Sequence, residues 1–208
     1  MQAIGGCVRR CLRRIACKQA PTASGGALLV PIRSLSLSLF LAVVLTTNLC
    51  RAGDSRRADA DRATVIIVAG ASGETEFAPD IVLQLQAWAH VSTQAGAKHV
   101  AIGGETLIGG SSDRDLLQQA LAAEGKEGAG ELWLVLAGHG TFDGKEAKFN
   151  LRGPDVSATE VAGWLKPFKR PLAIIDTTSS SAPFLAKLAA PGRVVVSSTR
   201  SGYEHNYA

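Results

Sequence analysis

Apolar and polar positions change rhythm several times along this chain, and the changes mark out its elements. Thr64 to Ala69 (TVIIVA) is a continuous apolar, β-branched run, the pattern of a strand buried on both faces. Leu132 to Ala137 (LWLVLA), Leu172 to Ile175 (LAII) and Arg193 to Ser198 (RVVVSS) repeat it, and His99 to Ile102 is a weaker fifth run. Between the first two, Ile81, Leu85, Trp88 and Ala89 recur at helical spacing until Gly96 ends the segment. A second helix is predicted from about Asp113 to Glu124, with Ser112 as N-cap and Leu116, Leu117, Ala120 and Leu121 on one side. A third begins at Ser157, whose spacing to Glu160 is that of a capping box, and runs to about Phe168, before Pro171. A short fourth spans roughly Pro183 to Leu188. Strands alternating with helices imply right-handed crossovers, and so an α/β three-layer sandwich around a mainly parallel five-stranded sheet.

The segment before Thr64 has a different character. Leu35 to Leu49 is an uncharged, mainly apolar run behind a series of arginines, and Cys50-Arg51-Ala52 follows it. That is the order of an export signal with cleavage after Ala52. At 15 residues the run is short for a membrane span, which needs about 20, although an uncleaved anchor through residues 35–49 is the alternative. The chain thus divides into a leader (1–52), a charged linker (53–63) and one α/β domain (64–208), with a secreted or periplasmic location expected. Leu49 occupies the place where a lipoprotein signal wants a small residue, and Arg9-Arg10 lies too far upstream for a twin-arginine signal.

Charge and cysteine content sharpen this division. The net charge of +4 reads at first as a nucleic-acid or anionic-membrane partner, yet seven basic residues and no acidic ones precede Gly53. The remainder carries 15 basic against 18 acidic residues, a balance with no basic stripe for nucleic acid. All four cysteines (Cys7, Cys11, Cys17 and Cys50) lie in the leader, and their spacing lacks paired CxxC geometry. The domain itself therefore contains no disulfide, no thiolate metal site and no cysteine nucleophile.

In sheets of this kind ligands bind where strands end at the carboxyl rim. Three segments fall there. Gly70 to Gly73 (GASG) is either a tight strand-to-helix turn or a phosphate-approaching loop, and Glu74 and Glu76 oppose the second reading. His139, between Gly138 and Gly140, is placed either to exchange protons near neutral pH or to cap backbone groups. The third is Asp176 to Ser181 (DTTSSS).

The order LWLVLAGHG, FNLRGPDVSATEVAGWL, PLAIIDTTSSSAPFL and RVVVSSTRSGYEHNYA resembles caspase-like peptidases, legumain relatives included, over roughly Thr64 to the end. The resemblance implies a histidine after the third strand and a nucleophilic cysteine after the fourth. His139 falls on the histidine; the cysteine falls on Thr177 or Thr178, according to alignment. An alcohol is a much weaker acid than a thiol and needs a closely held base, so the exchange forfeits most peptidase activity. Such sheets usually carry a further helix and sixth strand beyond the position of Ala208, without which one edge is left open and offers a homodimer surface.

These readings lead to a degenerate site (His139, Thr177, Thr178) flanked by Gly140, Asp176, Ser179 and Glu204 as substrate-binding residues. It calls for no metal or cofactor, and its ligand is a peptide or protein, with the carboxylates of Asp176 and Glu204 available to a basic substrate residue unless Asp176 caps local backbone. Two alternatives are an active hydrolase using Thr177, Thr178 or Ser179 with His139, and a nucleotide-binding protein using Gly70 to Gly73. The leader makes its own prediction: N-terminal sequencing of exported protein is expected to read from Gly53, and a product retaining residues 35–49 would establish the anchor instead.

Overall fold

The computed structural model describes residues 61–104 and 110–206; the leader and most of the linker lie outside the described residues. Five parallel strands form the main sheet: β1 (Thr64–Ala69), β2 (Lys98–Ile102), β3 (Leu132–Ala137), β7 (Leu172–Asp176) and β8 (Arg193–Ser197). Their spatial order is β2-β1-β3-β7-β8. The helices are α1 (Ala78–Gln94), α2 (Asp113–Ala123), α3 (Ala158–Leu165) and α4 (Ala182–Leu188), with a 3-10 turn at Thr75–Phe77 leading into α1.

The strand order determines the layers. From β1 the chain moves one way to β2, then crosses back over β1 to β3 and continues to β7 and β8. Right-handed crossovers in opposite directions put their helices on opposite faces. Val65, Ile67, Trp133, Val135 and Ala173 accordingly form a smaller core joined by Leu85 and Trp88 of α1. The other face carries the larger core, in which Ile66, Val68, Leu134, Leu136 and Ile174 meet Leu117 and Leu121 of α2, Val161 and Leu165 of α3, and Phe184 and Leu188 of α4. The three-layer α/β sandwich with a five-stranded parallel sheet is thus the architecture observed.

Helix ends follow the sequence signals closely. Ser112 accepts a hydrogen bond from the Asp115 amide, and Ser157 and Glu160 complete a reciprocal capping box. The third helix stops at Leu165, short of Phe168, because the next residues form a turn ahead of Pro171. A second, antiparallel sheet was not foreseen: β4 (Gly140–Phe142), β5 (Ala147–Phe149) and β6 (Val156–Ser157). Its turn is held by Asp143, whose Oδ1 accepts from the amides of Lys145 and Glu146.

At the amino ends of the strands, Glu124 forms the hub of a buried polar cluster. Its carboxylate accepts from the Thr64 hydroxyl (3.1 Å) and pairs with Lys98 and with Arg170 (3.5 Å). Arg170, at 3% side-chain exposure, also donates to the Gly130, Arg62 and Glu131 carbonyls. Glu124→Ala would leave that guanidinium buried without its counter-charge. The variant is expected to lose about 3–5 kcal/mol in urea unfolding, and a loss below about 1 kcal/mol would show that the carbonyls alone satisfy the arginine.

Candidate functional site

The main sheet's carboxyl rim is built on two close approaches. Gly70, directly after β1, donates from its amide to the Ala137 carbonyl (2.8 Å), and a Cβ at Gly138 would stand 2.9 Å from the Gly70 Cα. Gly138 has φ +149°, a conformation that L side chains rarely adopt. The pinch brings the Gly70–Gly73 turn against the residue after Gly138, which is His139. Ser72 presents its carbonyl to His139 Nε2 at 2.9 Å. Because a carbonyl only accepts, Nε2 carries the hydrogen and Nδ1 is the nitrogen left to take up a proton. Phe77 meets the imidazole edge to face, with centroids 5.2 Å apart, and Asn150 donates its amide to the His139 carbonyl. The glycine turn therefore serves as the wall that orients an imidazole.

Thr177 follows β7, which lies beside β3 in the sheet. Strand alternation separates it from its neighbours: Leu172 and Ile174 face the larger core, so Asp176 does too, whereas Thr177 emerges on the α1 side. There the Thr177 hydroxyl lies 3.1 Å from the Leu136 carbonyl and 3.2 Å from Oε1 of Gln84 on α1. His139 and Thr177 line one narrow cleft with Phe77, Asp80, Ile81, Gln84, Gly138 and Asn206. The cleft holds about 30 Å³, room for roughly two waters.

The other residues predicted for the site lie outside this cleft. Thr178 is fully buried, donating to Asp176 Oδ1 at 2.6 Å beneath Gly140, where an added Cβ would collide with the Ser179 carbonyl and the Thr178 hydroxyl. Of the two candidate nucleophile positions, only Thr177 reaches the imidazole's cleft. Asp176 is 1% exposed and accepts from the Thr178 amide, the local backbone capping foreseen as its alternative role. Ser179 and Glu204 engage the segment after β8: Ser179 Oγ accepts from the Asn206 amide (2.8 Å), and the Glu204 carbonyl accepts from the Ser180 amide (2.9 Å). The Glu204 side chain accepts from the Arg200 amide, which holds its carboxyl below the usual range.

Four cleft residues, Phe77, Asp80, Gln84 and Asn206, carried no signal that the sequence reading used. Gln84 lies one position from Leu85 on the apolar stripe of α1, and a polar side chain beside that stripe, one turn after Ile81, was the available hint. Phe77 precedes the helix, and Asn206 follows the last strand by a loop. No family model matches the chain, and no curated protein matches it.

Chemically, the cleft offers a fixed imidazole and a hydroxyl whose single hydrogen points to a carbonyl or to Gln84. No hydrogen bond joins the two. Attack by the hydroxyl would require its proton to pass to a base, and these contacts aim it elsewhere.

Asp176 makes the clearest pH prediction. Burial raises its pKa from 3.8 to about 6, only partly offset by the bonds from Thr178, and Oδ2 has no partner. The folded chain therefore keeps a proton that the unfolded chain releases above about pH 4. This contribution to stability is complete in acid, falls as pH rises from about 4 to 6, and is lost above, on the order of 3 kcal/mol in all. Asp176→Asn is expected to lack that loss. Urea midpoints of the two proteins that ran parallel from pH 4 to 7 would show the carboxyl to be solvated.

Proposed function

We propose that this is an exported, caspase-like peptidase homologue that binds a peptide or protein at the rim while having lost hydroxyl-based or thiol-based peptide cleavage. The observation that carries the reading is the occupancy of the Thr177 hydroxyl. It stands at one of the two positions that the family resemblance gives to the nucleophile, and the one that lines the imidazole's cleft, yet it faces Leu136 and Gln84, with the imidazole turned to Ser72. A site selected for hydrolysis would spend its one acidic proton on the base. The rim remains rich in groups that engage a main chain, which suits binding better than turnover. Among the described residues no helix is long and apolar enough to cross a membrane. Among the described residues β8 is an edge strand of the main sheet, and a second copy would pair along that edge.

The test substitutes cysteine at each hydroxyl. Thr177→Cys is expected to be alkylated by iodoacetamide in the native protein about tenfold faster than Thr178→Cys, measured by mass on the substituted peptide, and to slow when His139 is also replaced by Ala. The unmodified protein is expected to leave a mixed peptide library uncut. Cleavage by the unmodified protein that disappears in both Thr177→Val and His139→Ala would overturn the reading in favour of a hydroxyl-dependent hydrolase.

A further inference from the structure

The segment after β8 crosses back over the site, and its contacts are of a kind that a separate peptide would make. Ser180 donates its amide to the Glu204 carbonyl at 2.9 Å, and Asn206 donates its own amide to Ser179 Oγ at 2.8 Å. That hydroxyl in turn donates to the Asn206 carbonyl at 3.4 Å, while Asn206 Nδ2 donates to the Thr177 carbonyl at 2.7 Å. These bonds run from Glu204 and Asn206 to Thr177, Ser179 and Ser180 of the DTTSSS rim, and Asn206 helps to close the cleft that His139 and Thr177 line.

Grip from apolar packing is light. Tyr203 meets Phe142 of β4 edge to face at 5.2 Å but remains 74% exposed, and Gly202 lies flat against the Phe142 ring. His205 is exposed, and Glu204 and Asn206 are half-buried. A segment held mainly by hydrogen bonds at the surface opens at lower free energy than the sheet beneath it.

We propose that residues 203–206 are a displaceable occupant of the rim: in cis they fill the place where a peptide from outside would bind. The partner class is thus an extended peptide that reproduces the Glu204 and Asn206 bonds. This rests on the reading of the rim as a peptide site, but not on any loss of catalysis. Tethered through a short loop, the segment competes at an effective concentration on the order of millimolar, so an external peptide binds weakly until the tether is disturbed.

Gly202 supplies the means of disturbing it, because a Cβ there would stand 2.4 Å from a Phe142 ring carbon, forcing ring and segment apart without touching the rim residues. The probe is a fluorescein-labelled peptide of the sequence 201–208, SGYEHNYA, followed by anisotropy on the full chain. Gly202→Ala is expected to bind it about tenfold more tightly than the unaltered protein, and the same probe with its asparagine replaced by alanine is expected to bind neither. A second measurement needs no variant. In hydrogen exchange of the unaltered protein, the amides of Ser180 and Asn206 are expected to exchange roughly a hundredfold faster than those of Ile174 and Ile175. Equal affinities in the two proteins, or exchange at the rim as slow as in β7, would overturn the proposal. Slow exchange would do so even if the rim binds peptides by another surface, whereas fast exchange with no binding would count against the peptide site itself.

Discussion

Everything at the rim depends on how closely the ends of β1 and β3 approach. Gly70 and Gly138 leave no space for a side chain between two backbones, and a Cβ at Gly70 would press on the Asn150 carbonyl at 2.7 Å. The cost of that pinch is two glycines with more freedom to lose on folding. What it secures is direction: with the Gly70–Gly73 turn held against Gly138, the Ser72 carbonyl meets the imidazole and fixes which nitrogen carries hydrogen. An alanine at Gly138 would press on the Gly70 backbone, and one at Gly70 on the Asn150 carbonyl, whose residue donates its amide to His139.

The second determinant is the period of two along β7. One strand end delivers Asp176 to the larger core and Thr177 to the α1 side, so adjacent residues serve unrelated purposes. Asp176 organises the buried hydroxyls of the DTTSSS turn, and Thr177 faces the cleft. The turn continues through Ser180, whose φ of 57° lies in the left-handed region and is retained under its bond to the Glu204 carbonyl. Core, turn and rim are therefore one continuous hydrogen-bonded structure, with the carboxyl at its buried end and the residue 203–206 segment at its exposed end.

Much of this was legible from residue order. The strands could be read because a parallel strand covered on both faces is written as an uninterrupted apolar run, as TVIIVA and LWLVLA are. Placement of His139 and the DTTSSS segment at one rim followed from the same runs, since both segments come directly after them. Three features were not legible. The β4-β5-β6 sheet is made of strands of two or three residues, too short to show a period, although Asp143-Gly144 was a turn signal in plain view. The choice between Thr177 and Thr178 required the actual strand register, because a shift of one residue exchanges the two faces. Gln84 and Asn206 reach the cleft from distant parts of the chain, and only the tertiary arrangement brings them to Thr177.

The solitary position of α1 has one more consequence. Among the described residues this helix alone covers its face of the sheet, carrying Gln84 into the cleft and Trp88 into the smaller core, where Trp88 lies 6.1 Å from Trp133 of β3 at a tilt of 48°. Two of the chain's three tryptophans thus meet as a tilted pair across the interface that positions the cleft wall. Exciton coupling and mutual quenching between indoles fade steeply with separation, so the near-ultraviolet signal of this pair is a built-in optical gauge of whether α1 is seated, readable without a label.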